Sequence, residues 1–151
     1  MNQFLYSNDS EVQDIARNVD WYIIPMANPD GYVYTWDDNR NWRKTRSKVS
    51  SICYGVDPNR NFAFSWLTED EFGNLGASRA PCHDLYAGPK SFSENETLAI
   101  ENFVSVNRDK FDVYLSFHSY SHQILIPYAY TIRRMVNLLF WSSQNGFDIK
   151  P

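Results

Sequence analysis

Long hydrophobic runs are missing from this chain. Its apolar stretches are short pieces such as "ILI" and "LLFW", far below the roughly 18 consecutive apolar residues that a membrane-spanning helix needs. The chain therefore reads as one that does not cross a bilayer. The opening "MNQFLYSNDSEVQD" lacks the apolar centre and small-residue cleavage site of a secretory signal. Internal repeats, linkers and low-complexity blocks are absent too. Positive charge is in deficit, with 14 Lys plus Arg against 18 Asp plus Glu and a net charge of −4. The overall field thus does not favour a polyanion, and nucleic acid is not an expected partner. Among local chemical motifs there is no HExxH, HxxE or CxxC, so spacing alone establishes no metal centre. No GxSxG supports a Ser/His/Asp hydrolase.

Cysteine is scarce: Cys53 and Cys82 are the only two, and by themselves they read equally as one disulfide or as two buried thiols. If bridged, the closed loop would stabilise the fold by about 3–4 kcal/mol in the chain-entropy picture. What is plentiful is aromatic character, 17% of the 151 residues, within 43% hydrophobic and 21% charged residues. These totals fit one globular domain. A chain of this size buries about 70% of the surface its unfolded form exposes.

Val12, Ile15, Ala16 and Val19 fall at helical spacing, with Ser10 and Gln13 as a capping box. The run "WYIIPMA" that follows predicts a buried strand. "NPDG", residues 28–31, predicts a turn. Periodicity fades between Tyr34 and Lys90, and a connection that long without regular structure is usually functional. A second helix is expected from Ser93, capped by a Ser93–Glu96 box and carrying Ile100, Phe103 and Val104 on one face. In "FDVYLSFHSYSHQILIPYAY", Val113, Leu115 and Phe117 alternate with Tyr114, Ser116 and His118, which predicts a strand that ends at His118. Ile124 to Pro127 reads as a neighbouring strand. This order points to an α/β sheet, with ligands expected beyond the carboxyl ends of its strands.

The sequence "NRNWRKTRS", residues 39–47, concentrates Arg40, Arg43, Lys44 and Arg46. An ordinary solvated basic turn is the plain reading, since these cations do not interleave with stacking aromatics as a single-strand binder requires. "GVDPNRNF" adds Asn59 and Arg60 in a bend marked by Gly and Pro. Arg pairs bidentately with a carboxylate and Asn adds neutral donors beside it, so the two loops together suggest a carboxylate receptor. His118 and His122 in "HSYSH" lie on a strand and turn pattern. They are not read as a chelate by themselves.

Four blocks, "NPDGYVYTWDDNRNWRKTRS", "CYGVDPNRNF", "PCHDLYAGPKSFSENET" and "SFHSYSHQILIPYAY", taken in this order closely resemble the carboxypeptidase A/B-type zinc metallocarboxypeptidases. The resemblance covers residues 1–131 and corresponds to the middle of that family's catalytic domain; residues 132–151 form an atypical tail. It implies an α/β fold in which a mixed, twisted sheet is sandwiched by helices. It also implies an exopeptidase that removes C-terminal residues from peptides and proteins, acts as a monomer, is secreted and uses zinc. Carried over residue by residue, His118 would be a zinc ligand and Arg43 would polarise the scissile carbonyl and stabilise the oxyanion. Asn59 and Arg60 would bind the terminal carboxylate, Arg40 would serve outer subsites and Tyr120 would line the cleft. Cys53 and Cys82 would form the family's disulfide, while Lys44 and Arg46 are expected to be surface charges. The family's other zinc ligands, in an HxxE motif, and its general base have no counterpart among the 151 residues. The chain alone is therefore expected to bind zinc weakly and to hydrolyse nothing. The alternative expectation is a non-catalytic module that captures peptide C-termini.

Overall fold

The computed structural model describes residues 6–70, 72–119 and 123–125. Helix α1 spans Ser10–Asn18, within a residue of the predicted limits. Its N-cap is Asp9, not Ser10: the Asp9 carboxylate accepts from the Glu11 N–H at 2.9 Å. A carboxylate there satisfies an orphan donor and also complements the helix dipole.

Where a turn was predicted at "NPDG", a helix begins instead. Helix α2 runs over Pro29–Asp37, with Asn28 as N-cap accepting from Gly31 N–H at 3.1 Å. Asn at the cap followed by Pro at the first helical position is itself a helix-start signal, because Pro's missing N–H is one the helix would leave unpaired anyway. The same Asn28 donates through Nδ2 to the Lys44 carbonyl at 3.0 Å, which pins the start of α2 against the basic loop. A Cβ added at Gly31 would collide with both Asn28 and that carbonyl.

Helix α3 spans Asn95–Asn107 and passes into a 3-10 turn over Arg108–Lys110. Its N-cap is Glu94, one residue after the predicted Ser93, and Glu94 makes no side-chain cap bond. The Ser93 hydroxyl donates instead to the Glu94 carboxylate at 2.9 Å. Phe103 of α3 meets Tyr22 and Phe111 edge-on or tilted at centroid distances of 5.6 and 6.0 Å, and Tyr22 meets Phe111 at 5.3 Å. This trio joins the segment before α2 to the end of α3.

Among the described residues, most of the buried ones lie in the stretch between α2 and α3 that lacks periodicity, with Thr97 in the first turn of α3 and Gly31 in α2. Val56, Ala87, Tyr86 and Cys53 are the apolar side chains among them, and Lys44, Thr45, Asp57, Asn61, Glu94 and Thr97 are buried with them. Cys53 and Cys82 form a disulfide. Isolated bridges, Lys48 with Tyr54, Glu69 with Leu75 and Ser78 with Tyr86, are the β-type pairings among the described residues. The predicted strands at 21–27 and 113–117 acquire no ladder among those residues, and Val113, Leu115 and Phe117, expected to face a core, are exposed. The reason is physical: alternation can specify a face, but a strand exists only where a neighbour supplies hydrogen bonds. Of the strand predicted at 124–127, residues 126 and 127 lie outside the described residues.

Candidate functional site

The basic loop is not a solvated turn. Lys44, expected at the surface, is only 3% exposed; its ammonium donates to the Pro81 carbonyl at 2.9 Å and lies 5.7 Å from the Trp42 ring centroid. Burial holds its pKa below the ordinary lysine value, against the attraction of Asp84. Arg46 is half-buried and places its guanidinium 3.5 Å from the Tyr34 centroid, 4.5 Å from Trp42 and 5.2 Å from Tyr54. Both corrections share a cause: the aromatic residues around the loop give cations an apolar surface on which a charge is still welcome. Arg40 remains exposed, 5.2 Å over the Trp36 ring and 3.4 Å from the Thr35 hydroxyl.

Arg43 is treated differently from its neighbours. Its Nε donates to Asp57 Oδ2 at 2.8 Å, and its side chain stays 42% exposed while that of Asp57 is 2% exposed. Nε is the guanidinium nitrogen nearest the stem, so this bond restrains the fork while the two terminal nitrogens have no partner among the described residues. A cation so held can offer paired donors to an incoming oxygen.

The second loop is organised by the same aspartate. Asp57 caps the 3-10 turn Pro58–Arg60, accepting from the Asn59 N–H at 3.0 Å through Oδ1, and its own N–H donates to the Tyr86 carbonyl at 2.8 Å. Pro58 at the first position presets the turn. Asn59 is thereby left exposed. Arg60 is half-buried, with Nε donating to the Gly76 carbonyl at 2.5 Å and Nη1 to the Asn59 carbonyl at 3.1 Å. Two of its five N–H donors are thus engaged among the described residues. The loops are held together by backbone bonds, Thr45 N–H to the Val56 carbonyl at 2.8 Å and Gly55 N–H to the Ser47 carbonyl at 2.7 Å. Gly55 has φ +75°, and any Cβ there would run into the Thr45 carbonyl, so the close approach of the two loops requires glycine.

Behind them sits a buried polar node that sequence reasoning missed. Asn61 donates through Nδ2 toward the Ala87 carbonyl (2.9 Å), the Ser93 hydroxyl (3.0 Å) and the Lys90 carbonyl (3.1 Å). Its Oδ1 accepts from the Thr97 hydroxyl at 2.7 Å and the Glu94 N–H at 3.2 Å. Glu94 accepts from the Thr45 hydroxyl at 2.5 Å, and Thr45 in turn accepts from the Val56 N–H at 2.9 Å. This chain of bonds ties the start of α3 to both loops. Burial, helped by the nearby Glu94 charge, raises the Tyr86 pKa. Asp57 had a legible signal, since Asp before Pro is a helix-start pair; Asn61 and Glu94 had none.

His118 is exposed and lies 3.1 Å from the Ser116 hydroxyl through Nε2. Among the described residues no three His, Cys, Asp or Glu side chains converge as a metal site would require, so these residues do not compose a zinc centre by themselves. Tyr120 and His122 lie outside the described residues. No helix among the described residues is long and apolar enough to cross a membrane.

The two loops, the disulfide and the capped turn define a scaffold whose relatives can be named. The sequence model of the zinc carboxypeptidase family matches residues 1–144, and the chain belongs to that family. It is 45% identical over 138 residues to a zinc carboxypeptidase of Simulium vittatum, a match covering 91% of this chain and 43% of that protein. It is 46% identical over 133 residues to carboxypeptidase B of Astacus astacus, covering 87% and 42%. The crystal structure of thrombin activatable fibrinolysis inhibitor superposes with a TM-score of 0.79 at 37% identity, covering 91% of this chain and 33% of that one. This chain thus spans less than half the length of these relatives. The family is one of enzymes of α/β fold that are named for zinc and for carboxypeptidase action.

Proposed function

We propose that this chain forms the substrate-anchoring portion of a zinc-dependent metallocarboxypeptidase, an exopeptidase that hydrolyses the C-terminal peptide bond of peptides and proteins. The observation that carries the reading is the pair of loops locked on Asp57, one presenting Arg43 and the other Asn59 and Arg60. An exopeptidase must recognise a free carboxylate and reject internal peptide bonds, and an Arg beside an Asn supplies that discrimination. Asn59 and Arg60 bind the terminal carboxylate. Arg43, held at Nε and with its terminal donors unpaired among the described residues, receives the carbonyl oxygen as negative charge develops on it. Arg40 contacts residues further along the substrate, and Tyr120 lines the cleft. His118 is one zinc ligand; among the described residues it belongs to no group of three His, Cys, Asp or Glu side chains that could hold a metal ion. The 151 residues by themselves accordingly bind zinc weakly and do not turn over.

In the complete domain, residues 21–27 and 113–117 become strands of the mixed, twisted sheet sandwiched by helices, which covers the apolar side chains exposed here. The disulfide fits an oxidising, extracellular setting.

The test is Arg43→Ala in the complete, zinc-loaded enzyme. We expect kcat on a peptide acid to fall by about 10²–10³-fold with little change in KM, the signature of a donor that acts on the oxyanion. A loss confined to KM would remove Arg43 from the chemistry.

A further inference from the structure

We infer that Asn95 is an acceptor for an N-linked glycan, transferred before the chain folds; the assignment rests on the extracellular setting proposed above. Asn95, Glu96 and Thr97 have the Asn-x-Ser/Thr form that such transfer needs, with no proline in the middle position. Asn95 is the first residue of α3. It is exposed, and its side chain has no partner among the described residues. Leu98 and Ala99, three and four residues on along the same face, are exposed as well. A bulky polar group at Asn95 therefore displaces no hydrogen bond among the described residues. The sequence holds one other match, Asn8, Asp9 and Ser10, where Ser, the weaker hydroxyl partner, stands in place of Thr.

Thr97 fixes the order of events. Its hydroxyl, which the transferase must engage, belongs to a residue that is 0% exposed. It donates to Asn61 Oδ1 at 2.7 Å and lies 3.1 Å from the Glu94 carbonyl. In the folded chain that hydroxyl is out of reach, whereas in the unfolded chain Asn95 and Thr97 are both open. The same hydroxyl thus serves twice, first in the transfer and then in the buried node. The co-reactant is a lipid-pyrophosphate-linked oligosaccharide. The Asn95 amide nitrogen bonds to the anomeric carbon of its first sugar and gives up one proton. The bond from that carbon to the pyrophosphate breaks, and the lipid pyrophosphate leaves with the electron pair.

The complete enzyme is produced in insect cells from its own coding sequence, collected from the medium and mapped after treatment with a peptide N-glycanase, which turns a linked Asn into an acid. We expect the acid at position 95, and loss of that glycan in Asn95→Gln. Thr97→Ser, which keeps a hydroxyl, should retain the glycan, and Thr97→Val should lose it. Whole-cell extracts are mapped too, so a variant that fails to fold still reports its glycan. An unmodified position 95 in the secreted native enzyme, or a glycan found at Asn8 alone, would overturn the inference. For the order of events, unglycosylated Asn8→Gln enzyme made in bacteria is offered lipid-linked oligosaccharide and solubilised oligosaccharyl transferase. The reduced, unfolded chain should be modified and the folded enzyme left untouched; transfer to both alike would overturn that order. An enzyme that never leaves the cell would instead overturn the extracellular reading.

Discussion

The loops between α2 and α3 and the segments flanking the two helices solve opposite problems. The loops are rich in polar groups and have almost no repeating structure, yet Thr45, Asp57, Asn61 and Glu94 are buried in them beside Thr97 of α3, each with its partners made. The flanking segments, 21–27 and 113–117, are apolar and strand-like in composition, yet Ile23, Ile24, Val113, Leu115 and Phe117 are exposed. The difference is where each finds its complement. A side-chain network closes over short distances inside one stretch of chain, whereas a strand must find its complement in another strand. In this molecule the order of the site comes from buried hydrogen bonds more than from apolar area.

The sharpest way to break that contrast is to empty the node. Asn61→Ala strands the Thr97 hydroxyl, the Glu94 N–H and the acceptors that Nδ2 served, and should cost about 4 kcal/mol of stability, at the severe end for a single change. Denaturant unfolding of the 151-residue chain measures it, and a cost below about 1 kcal/mol would mean that water or a rearranged partner fills the gap. A smaller effect is expected at the loop surface. Arg46→Ala removes a guanidinium from three aromatic faces and should cost about 1–2 kcal/mol, with Arg46→Lys recovering part of it. At the other extreme, Phe117 is 91% exposed. Phe117→Ser in this chain should therefore change stability by less than about 0.5 kcal/mol, although the same change in the complete domain should be severe if the segment becomes a covered strand. Equal, large costs for Asn61→Ala and Phe117→Ser in this chain would erase the contrast.

These two regions also differ in how much of them could be read in advance. Helices α1 and α3 were legible because periodic apolar residues were bracketed by capping residues, and only the cap shifted by one position at each. The start of α2 was misread as a turn because Asn, Pro, Asp and Gly serve both purposes; the Asn–Pro pair decides for a helix once Asn28 also finds the Lys44 carbonyl. Of the site, Arg43, Asn59 and Arg60 were nameable because their chemistry is on display. Lys44 and Arg46 were misjudged as surface charges because the packing of Trp42, Tyr34 and Tyr54 around them is a tertiary fact. Asn61 and Glu94 gave no warning, since a buried polar residue and a solvated one are spelled alike.

The proposed receptor for a terminal carboxylate, placed where the two loops meet, is open to one direct measurement. The 151-residue chain is titrated with a short peptide bearing a free C-terminal carboxylate and, separately, with the same peptide as its C-terminal amide. The arrangement of Asn59, Arg60 and Arg43 predicts saturable binding of the acid, abolished by Arg60→Ala, and no measurable binding of the amide. Equal affinity for the two peptides, or binding of neither, would contradict it.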